Sequence, residues 1–458
     1  MYPHQAGIGH MTNDRGKRHP AYRGHLNKKT VTFGEVLHET GYFTAMTGKW
    51  HVGQPAGVIP SKRGFDRSLN APAGGFYYGD HQRAHLFLDG IRLDNNDPAL
   101  PKDWYSTDLW TQYGLKFIDE AIDAHKPFLL YLAHNAPHFP LQASHKDIEK
   151  FKGKYLEGWE ELRKIRYQKQ KALGLIDSSW QLPPFNPKVP KWDSLSDEQK
   201  ERYDHMMAIY AAVVSRLDAS IGDLVQGLKQ RGVFENTVIL FISDNGGNPE
   251  PGFLGHYEGV NPGDSQSTVF LGQGWAEVGC TPFWAYKHHT HEGGISSPGI
   301  ISWPVGIPQV RKGGFERQPA HITDILATLV DLGQASYPAQ YAGHAITPTE
   351  GTSLVPLIQG KQLQRKQPIF WEHEGNKAVL DGKWKLVSEW KESWQLYDVQ
   401  NDRTEIQNVI NVQPVVAKRL IAQYEKWAER VQVEPWTRGV EWFYDYEKAK
   451  KENGNASN

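Results

Sequence analysis

The sequence predicts an α/β protein: a large, mixed but mostly parallel sheet with helices on both faces over residues 1–365, then a small C-terminal α+β unit over residues 366–458. Three observations carry this reading. A helix, an apolar strand and a polar loop follow one another three times; the residues able to do chemistry stand just past those strands; and beyond about Lys366 the texture changes to short alternating strands. A chain of 458 residues can bury one large core and a smaller one beside it.

The run from Thr32 to Gly41 reads as a short helix, because Thr32 and Glu35 are spaced as a capping box and Gly41 can end it. Tyr42 to Thr47 fits a strand that opens into Gly48-Lys49-Trp50-His51-Val52-Gly53. The plan recurs with a helix from Leu115 to Ala124, a continuous apolar strand from Pro127 to Ala133, and the loop His134-Asn135-Ala136-Pro137-His138. Arg202 to Arg231 carries a helical stripe through Met206, Tyr210, Val213, Leu217, Ile221, Leu224 and Leu228, stopped by Gly232. Val238 to Ile242 then delivers Ser243-Asp244-Asn245-Gly246-Gly247. Strands covered on both faces read as apolar runs, and ligands gather beyond their carboxyl ends.

Ser144 to Leu195, rich in Lys, Glu, Trp and Pro without a steady period, reads as a surface insertion. Ser297 to Trp303 is a further strand and Ile322 to Leu332 an amphipathic helix. Past Lys366 come strands at Pro368 to Glu372, Ala378 to Leu380, Trp384 to Ser388 and Trp394 to Tyr397, covered by a helix from Val415 to Val431. The polar tail after Lys450 is expected to fray.

Lys and Arg number 51 against 52 Asp and Glu, so no bulk charge draws the chain to nucleic acid or to an anionic membrane. No stretch approaches the roughly 18 uninterrupted apolar residues of a membrane span. One cysteine, Cys280, excludes an intrachain disulfide and any multi-cysteine metal centre. The first residues lack the basic start and apolar run of an export signal.

Asp244 and Asn245 put a carboxylate and an amide oxygen side by side before two glycines. That pair suits a hard cation such as calcium, although spacing alone favours a plain turn. Lys49 and His51 alternate around Trp50, so on extended backbone they share one side: an oxyanion pair, or a solvated strand end. His138, stiffened by Pro137, stands where a general acid would reach a leaving oxygen, or is an ordinary loop histidine. His134 reads as a residue that satisfies the loop backbone. Lys287 lies in a donor-rich segment with His288, His289 and His291, whose spacing matches no zinc signature and which read as hydrated surface.

Taken in order, these segments resemble the sulfatase family, and most closely its bacterial arylsulfatase branch. The resemblance rests on Tyr2-Pro3-His4-Gln5, Gly48-Lys49-Trp50-His51, Ala136-Pro137-His138-Phe139-Pro140, Ser243-Asp244-Asn245-Gly246, Lys287 with Glu292-Gly293-Gly294, and Leu396-Tyr397-Asp398 with Asn408. It implies an alkaline-phosphatase-like fold and a sulfuric ester hydrolase acting on a sulfated small molecule or carbohydrate. It also implies a formylglycine nucleophile made from the first residue of a Cys/Ser-x-Pro-x-Arg motif. By the same resemblance a calcium ion is held by two N-terminal aspartates with Asp244 and Asn245, and Lys49 and Lys287 hold sulfate oxygens. His51 would then support the nucleophile, and His138 would protonate or orient the leaving group. Relatives are exported, so a periplasmic or secreted location is the family expectation.

In the family the Tyr-Pro-His-Gln segment follows the nucleophile helix, whereas here it begins at Tyr2. The expectation is therefore an N-terminally truncated, inactive chain, with the formylglycine precursor, two metal aspartates and the first strand missing. Cys280-Thr281-Pro282 is no substitute, because Phe283 and Trp284 stand where a small hydroxyl residue and an arginine belong. Two rival readings stand beside this one: a phosphatase or phosphodiesterase of the same superfamily, and a non-catalytic sulfate-binding protein.

Overall fold

The computed structural model describes residues 1–11, 19–53 and 57–436, so the polar tail lies outside the described residues. The chain forms two compact units: Met1–His138, Val214–Ile239 and Ile301–Lys366 make the first, and Phe139–Val213, Leu240–Ile300 and Gln367–Asn458 the second.

The first unit is built on a five-stranded sheet of β1 (Phe43–Lys49), β2 (Arg67–Ala71), β3 (Leu86–Leu88), β4 (Ile91–Leu93) and β5 (Phe128–Ala133), in the order β4-β3-β2-β1-β5. β1 runs parallel to both β2 and β5, whereas β3 and β4 are antiparallel. A helix from Ser106 to Asp123 lays Leu109, Trp110, Tyr113 and Phe117 into a core with Ala45, Leu69 and Leu86. The helix before β1 spans Phe33–His38, and its capping box is formed: the Glu35 N–H donates to Thr32 Oγ1 at 3.0 Å and the Thr32 N–H to Glu35 Oε2 at 2.8 Å. The same Glu35 holds Arg63 at 2.8 Å in a buried ion pair.

Gly48 is where the backbone must be bare. Its φ is +106°, and an added Cβ would stand 2.0 Å from the Ala133 carbonyl oxygen on β5. Only glycine lets these two strands pair up to the residue before Lys49.

The second unit contains a four-stranded antiparallel sheet in sequential order, Ile369–His373, Asn376–Asp381, Trp384–Ser388 and Gln395–Asp398. The helix Pro414–Val431 buries Leu420, Tyr424 and Trp427, and Trp427 stacks on Phe370 at 5.1 Å. The segment Ser144 to Leu195 is not a mere surface insertion. Its helix Gly158–Ala172 buries Trp159, Arg163 and Tyr167, spaced four residues apart on one face. Trp159 meets Trp192, Tyr203 and Trp275 within 4.8 to 5.7 Å. Counting Arg163 as polar hides this stripe; in the fold its guanidinium is buried and donates to the Pro183 carbonyl at 2.6 Å. Among the described residues no helix is long and apolar enough to cross a membrane.

Candidate active site

In the first unit the candidate residues gather at the carboxyl ends of β1 and β5. Parallel register pairs Gly48 with Ala133, so Lys49 and the His134–His138 loop leave the sheet side by side. Trp50 points to the other side and is buried, donating from Nε1 to the Val58 carbonyl at 2.7 Å, while Lys49 and His51 remain half-buried. The aliphatic stem of Lys49 and the Asn135 side chain both lie 3.4 Å from the position of a Cβ on Gly74. Asn135 anchors the loop from inside: it donates to the Phe76 carbonyl at 2.6 Å and accepts from Trp110 Nε1 at 2.9 Å. The His138 backbone is pinned at both ends, with its N–H on the Asn135 carbonyl and its carbonyl accepting from the Tyr77 hydroxyl, each at 2.8 Å.

His134 departs from its sequence reading. Neither ring nitrogen makes a hydrogen bond, so it does not serve the loop backbone, and burial lowers its pKa to about 4.

In the second unit, Asp244, Asn245 and Lys287 come together although they lie some 40 residues apart in the sequence. The Lys287 N–H donates to the Gly247 carbonyl at 3.1 Å and the Gly246 N–H to the Gly294 carbonyl at 3.0 Å. The approach is close, since a Cβ on Gly246 would stand 1.8 Å from the Gly293 oxygen. Asp244 is exposed, and its carboxylate is committed to no other described side chain. The Asn245 amide donates to the Gly246 carbonyl at 2.9 Å, which turns its own oxygen away as a potential ligand. Cys280 accepts the Gly247 N–H at 3.0 Å from a buried position. Burial pushes its thiol up to about 11, the opposite of an activated nucleophile.

Lys287 is supported by carboxylates that the linear sequence does not flag. Its Nζ lies 3.6 Å from Glu250 Oε1, an oxygen that also accepts from His288 Nε2 at 2.8 Å, and His288 Nδ1 donates to Glu374 Oε2 at 2.9 Å. Burial alone would strip the His288 proton. The hydrogen bonds to Glu250 and Glu374 overcome it and raise the imidazole above its ordinary pKa. His288 and His291 are therefore not hydrated surface, being 7% and 2% exposed.

Glu292, next in the motif, sits in a buried lattice of charge. Lys385, with no exposed side-chain surface, lies 2.7 Å from both Glu292 and Glu405. Arg403 pairs with Glu292, donates to Ser296 Oγ at 2.8 Å, and lies over the adjoining rings of Trp180 and Phe283. The Glu292 N–H itself donates to Glu405 Oε2 at 2.7 Å. Burial pushes the Glu292 carboxyl up, but Arg403 and Lys385 outweigh it and hold the group down to about 2. Beside this lattice opens a cavity of about 350 Å³ lined by Trp180, Gln181, Lys383, Trp384, Asp402 and Arg403.

Comparison with known proteins identifies the family. The profile described as "Sulfatase" matches residues 1–335, and that described as "N-sulphoglucosamine sulphohydrolase, C-terminal" matches residues 282–433. An uncharacterized sulfatase of Schizosaccharomyces pombe is 33% identical over 91% of this chain and 81% of its own length. An arylsulfatase of Klebsiella aerogenes is 32% identical over 80% of this chain and 81% of its own length. Among solved structures, a protein crystallised with k-i-k-neocarrahexaose shares the fold at a TM-score of 0.65 and 24% identity, covering 99% of this chain and 84% of its own. One crystallised with D-glucosamine-2-N,6-O-disulfate aligns at 0.61 and 19%, covering 95% of this chain and 90% of its own. The fold is accordingly alkaline-phosphatase-like, with a mixed central sheet and a C-terminal sheet subdomain, and the chain belongs to the sulfatase family of hydrolases.

Proposed function

We propose that the chain recognises sulfate monoesters of aryl or carbohydrate alcohols. In this reading Lys49 and Lys287 take sulfate oxygens, His51 supports the attacking hydroxyl, and His138 supplies the proton to the leaving oxygen. Asp244 and Asn245 offer two oxygens to a calcium ion, which when bound would neutralise charge developing on the sulfate. Calcium takes about six to eight oxygens, so this pair is a partial cage that needs further carboxylates. The observation that carries the reading is the backbone bond from Lys287 to Gly247, which joins the Lys287 loop to the loop of Asp244 and Asn245, where the Asp244 carboxylate is exposed.

The aryl or sugar moiety is left open by these contacts. The saccharides named with two structural neighbours, k-i-k-neocarrahexaose and D-glucosamine-2-N,6-O-disulfate, together with Trp180 and Trp384 in the cavity beside the Glu292 lattice, favour a sulfated carbohydrate. A phosphonate monoester hydrolase of Agrobacterium radiobacter shares the fold alone, at a TM-score of 0.51 and 17% identity, and the phosphatase alternative rests on the tetrahedral geometry common to sulfate and phosphate esters.

Family catalysis uses a formylglycine from a Cys/Ser-x-Pro-x-Arg motif, and no such motif occurs in the 458 residues. Chain 1–458 is therefore expected to bind sulfate esters without turning them over. Calorimetry with p-nitrophenyl sulfate and p-nitrophenyl phosphate, in calcium and after chelation, tests this alongside an assay for p-nitrophenol release. Calcium-dependent binding of the sulfate ester should weaken about tenfold or more in Lys287→Ala, the loss of one charge-assisted hydrogen bond. Preference for the phosphate ester would favour the phosphatase reading. Turnover that disappears in Lys287→Ala would refute inactivity while upholding the site.

A further inference from the structure

We propose that His289, His291 and Glu389 form a second metal site, separate from the Asp244–Asn245 pair, that takes a divalent transition ion of the zinc class. The three residues belong to the second unit, two on the loop after Lys287 and one just beyond the strand Trp384–Ser388. One ligand atom from each lies within 4.8 Å of the others.

The geometry is that of a chelate. The Nδ1 atoms of His289 and His291 stand 3.3 and 3.6 Å from the same Glu389 oxygen, Oε1. A tetrahedral zinc ion with bonds of about 2.1 Å separates its ligand atoms by about 3.4 Å. The two measured edges bracket that value, and the ligand atoms of all three residues lie within 4.8 Å of one another, so side-chain rotation alone can close the triangle on an ion.

His291 is aimed inward and is 2% exposed, and its Nδ1 makes no hydrogen bond in the structure. Its Nε2 faces the Gln395 side-chain oxygen at 3.5 Å, an oxygen that also accepts from the Tyr397 hydroxyl at 2.7 Å. An acceptor at Nε2 assigns the ring proton there and leaves the Nδ1 lone pair pointing at Glu389. This is the outer support that metal-bound imidazoles receive.

Two imidazoles to one carboxylate select against calcium, which prefers oxygen donors, and in favour of zinc, cobalt, nickel or copper. With 34% of the Glu389 side chain exposed, an ion has a path in from solvent and room for water as a fourth ligand. No residue is shared with the calcium pair, so either site can exist without the other.

Untagged 1–458 protein, stripped with chelator and dialysed against zinc or calcium, tests the proposal by elemental analysis, with cobalt absorption spectra reporting the geometry. The expected result is bound zinc that calcium does not displace, together with an intense cobalt band of tetrahedral type. His291→Ala and Glu389→Gln should lose both signals, while Asp244→Asn keeps them. Circular dichroism establishes that each variant is folded; Glu389→Gln, partly exposed and isosteric, serves if His291→Ala is not. Zinc retained by folded Glu389→Gln, or absent from the parent protein, would show the cluster to be a plain hydrogen-bonded ion pair and overturn the proposal.

Discussion

At the scale of single residues, the support of Lys287 rests on a buried charge with two acceptors. His288 sits between Glu250 and Glu374, and the Glu374 side chain is only 1% exposed. Glu374→Ala would leave a buried imidazolium with one partner, a kind of change that costs about 3 to 5 kcal/mol. Urea unfolding measures it, and a loss under about 1 kcal/mol would mean that His288 sheds its proton without consequence. The place of the proposed substrate-side residues was legible in the sequence, because Lys49, His138 and Asp244 follow apolar runs and the structure ends strands at Lys49, Ala133 and Ile242. Their supporting acids were not. Glu374 and Glu389 reach the Lys287 loop from nearly 90 and 100 residues further along the chain, and nothing in local spacing announces a carboxylate that meets its partner only through the fold.

At the scale of elements, amphipathic period and capping chemistry did most of the work. The helix expected from Ile322 to Leu332 has those ends, and the one expected from Val415 starts a residue earlier at Pro414. The hairpin β3–β4 escaped notice although its signal was present. Asp89 and Gly90 both have positive φ between two short apolar strands, as a tight two-residue turn requires. That hairpin is what makes the sheet mixed. The helix Gly158–Ala172 also went unread, and it yields a clear test. Trp159, 1% exposed among three other large rings, should cost about 3 to 5 kcal/mol on replacement by Ala, read as a lowered denaturation midpoint. An unchanged midpoint would restore the surface-insertion reading.

At the scale of the whole molecule, titration should set an acid limit. Burial lowers His134 and His321 to about 4, below the unfolded value near 6.5, so the unfolded chain takes up their protons first and stability falls as pH drops from 6.5 to 4. Glu292 and Glu389, held at about 2, extend the loss from pH 4.5 downward. Glu277, raised to about 7 by burial, has the opposite sign: its contribution is present below pH 4.5 and is lost as pH climbs to 7. Two histidines outweigh the one glutamate between pH 6.5 and 4.5, and the two carboxyls join them below pH 4.5, so the melting temperature should decline between pH 6.5 and 4, and a rise over that interval would contradict these assignments.

The charge lattice around Glu292 bears on how the C-terminal strands can evolve. Seen as a sequence, residues after Lys366 look like a cassette that could be trimmed or traded. Yet Lys385, Arg403 and Glu405 all reach back to one glutamate in the loop that follows Lys287. Excising the cassette would strand a naked anion in a dry interior, and a swap would succeed only if donor and recipient carry matching halves of the lock. Recombination in this lineage should therefore inherit the Glu-Gly-Gly loop and the distal strands as a single package.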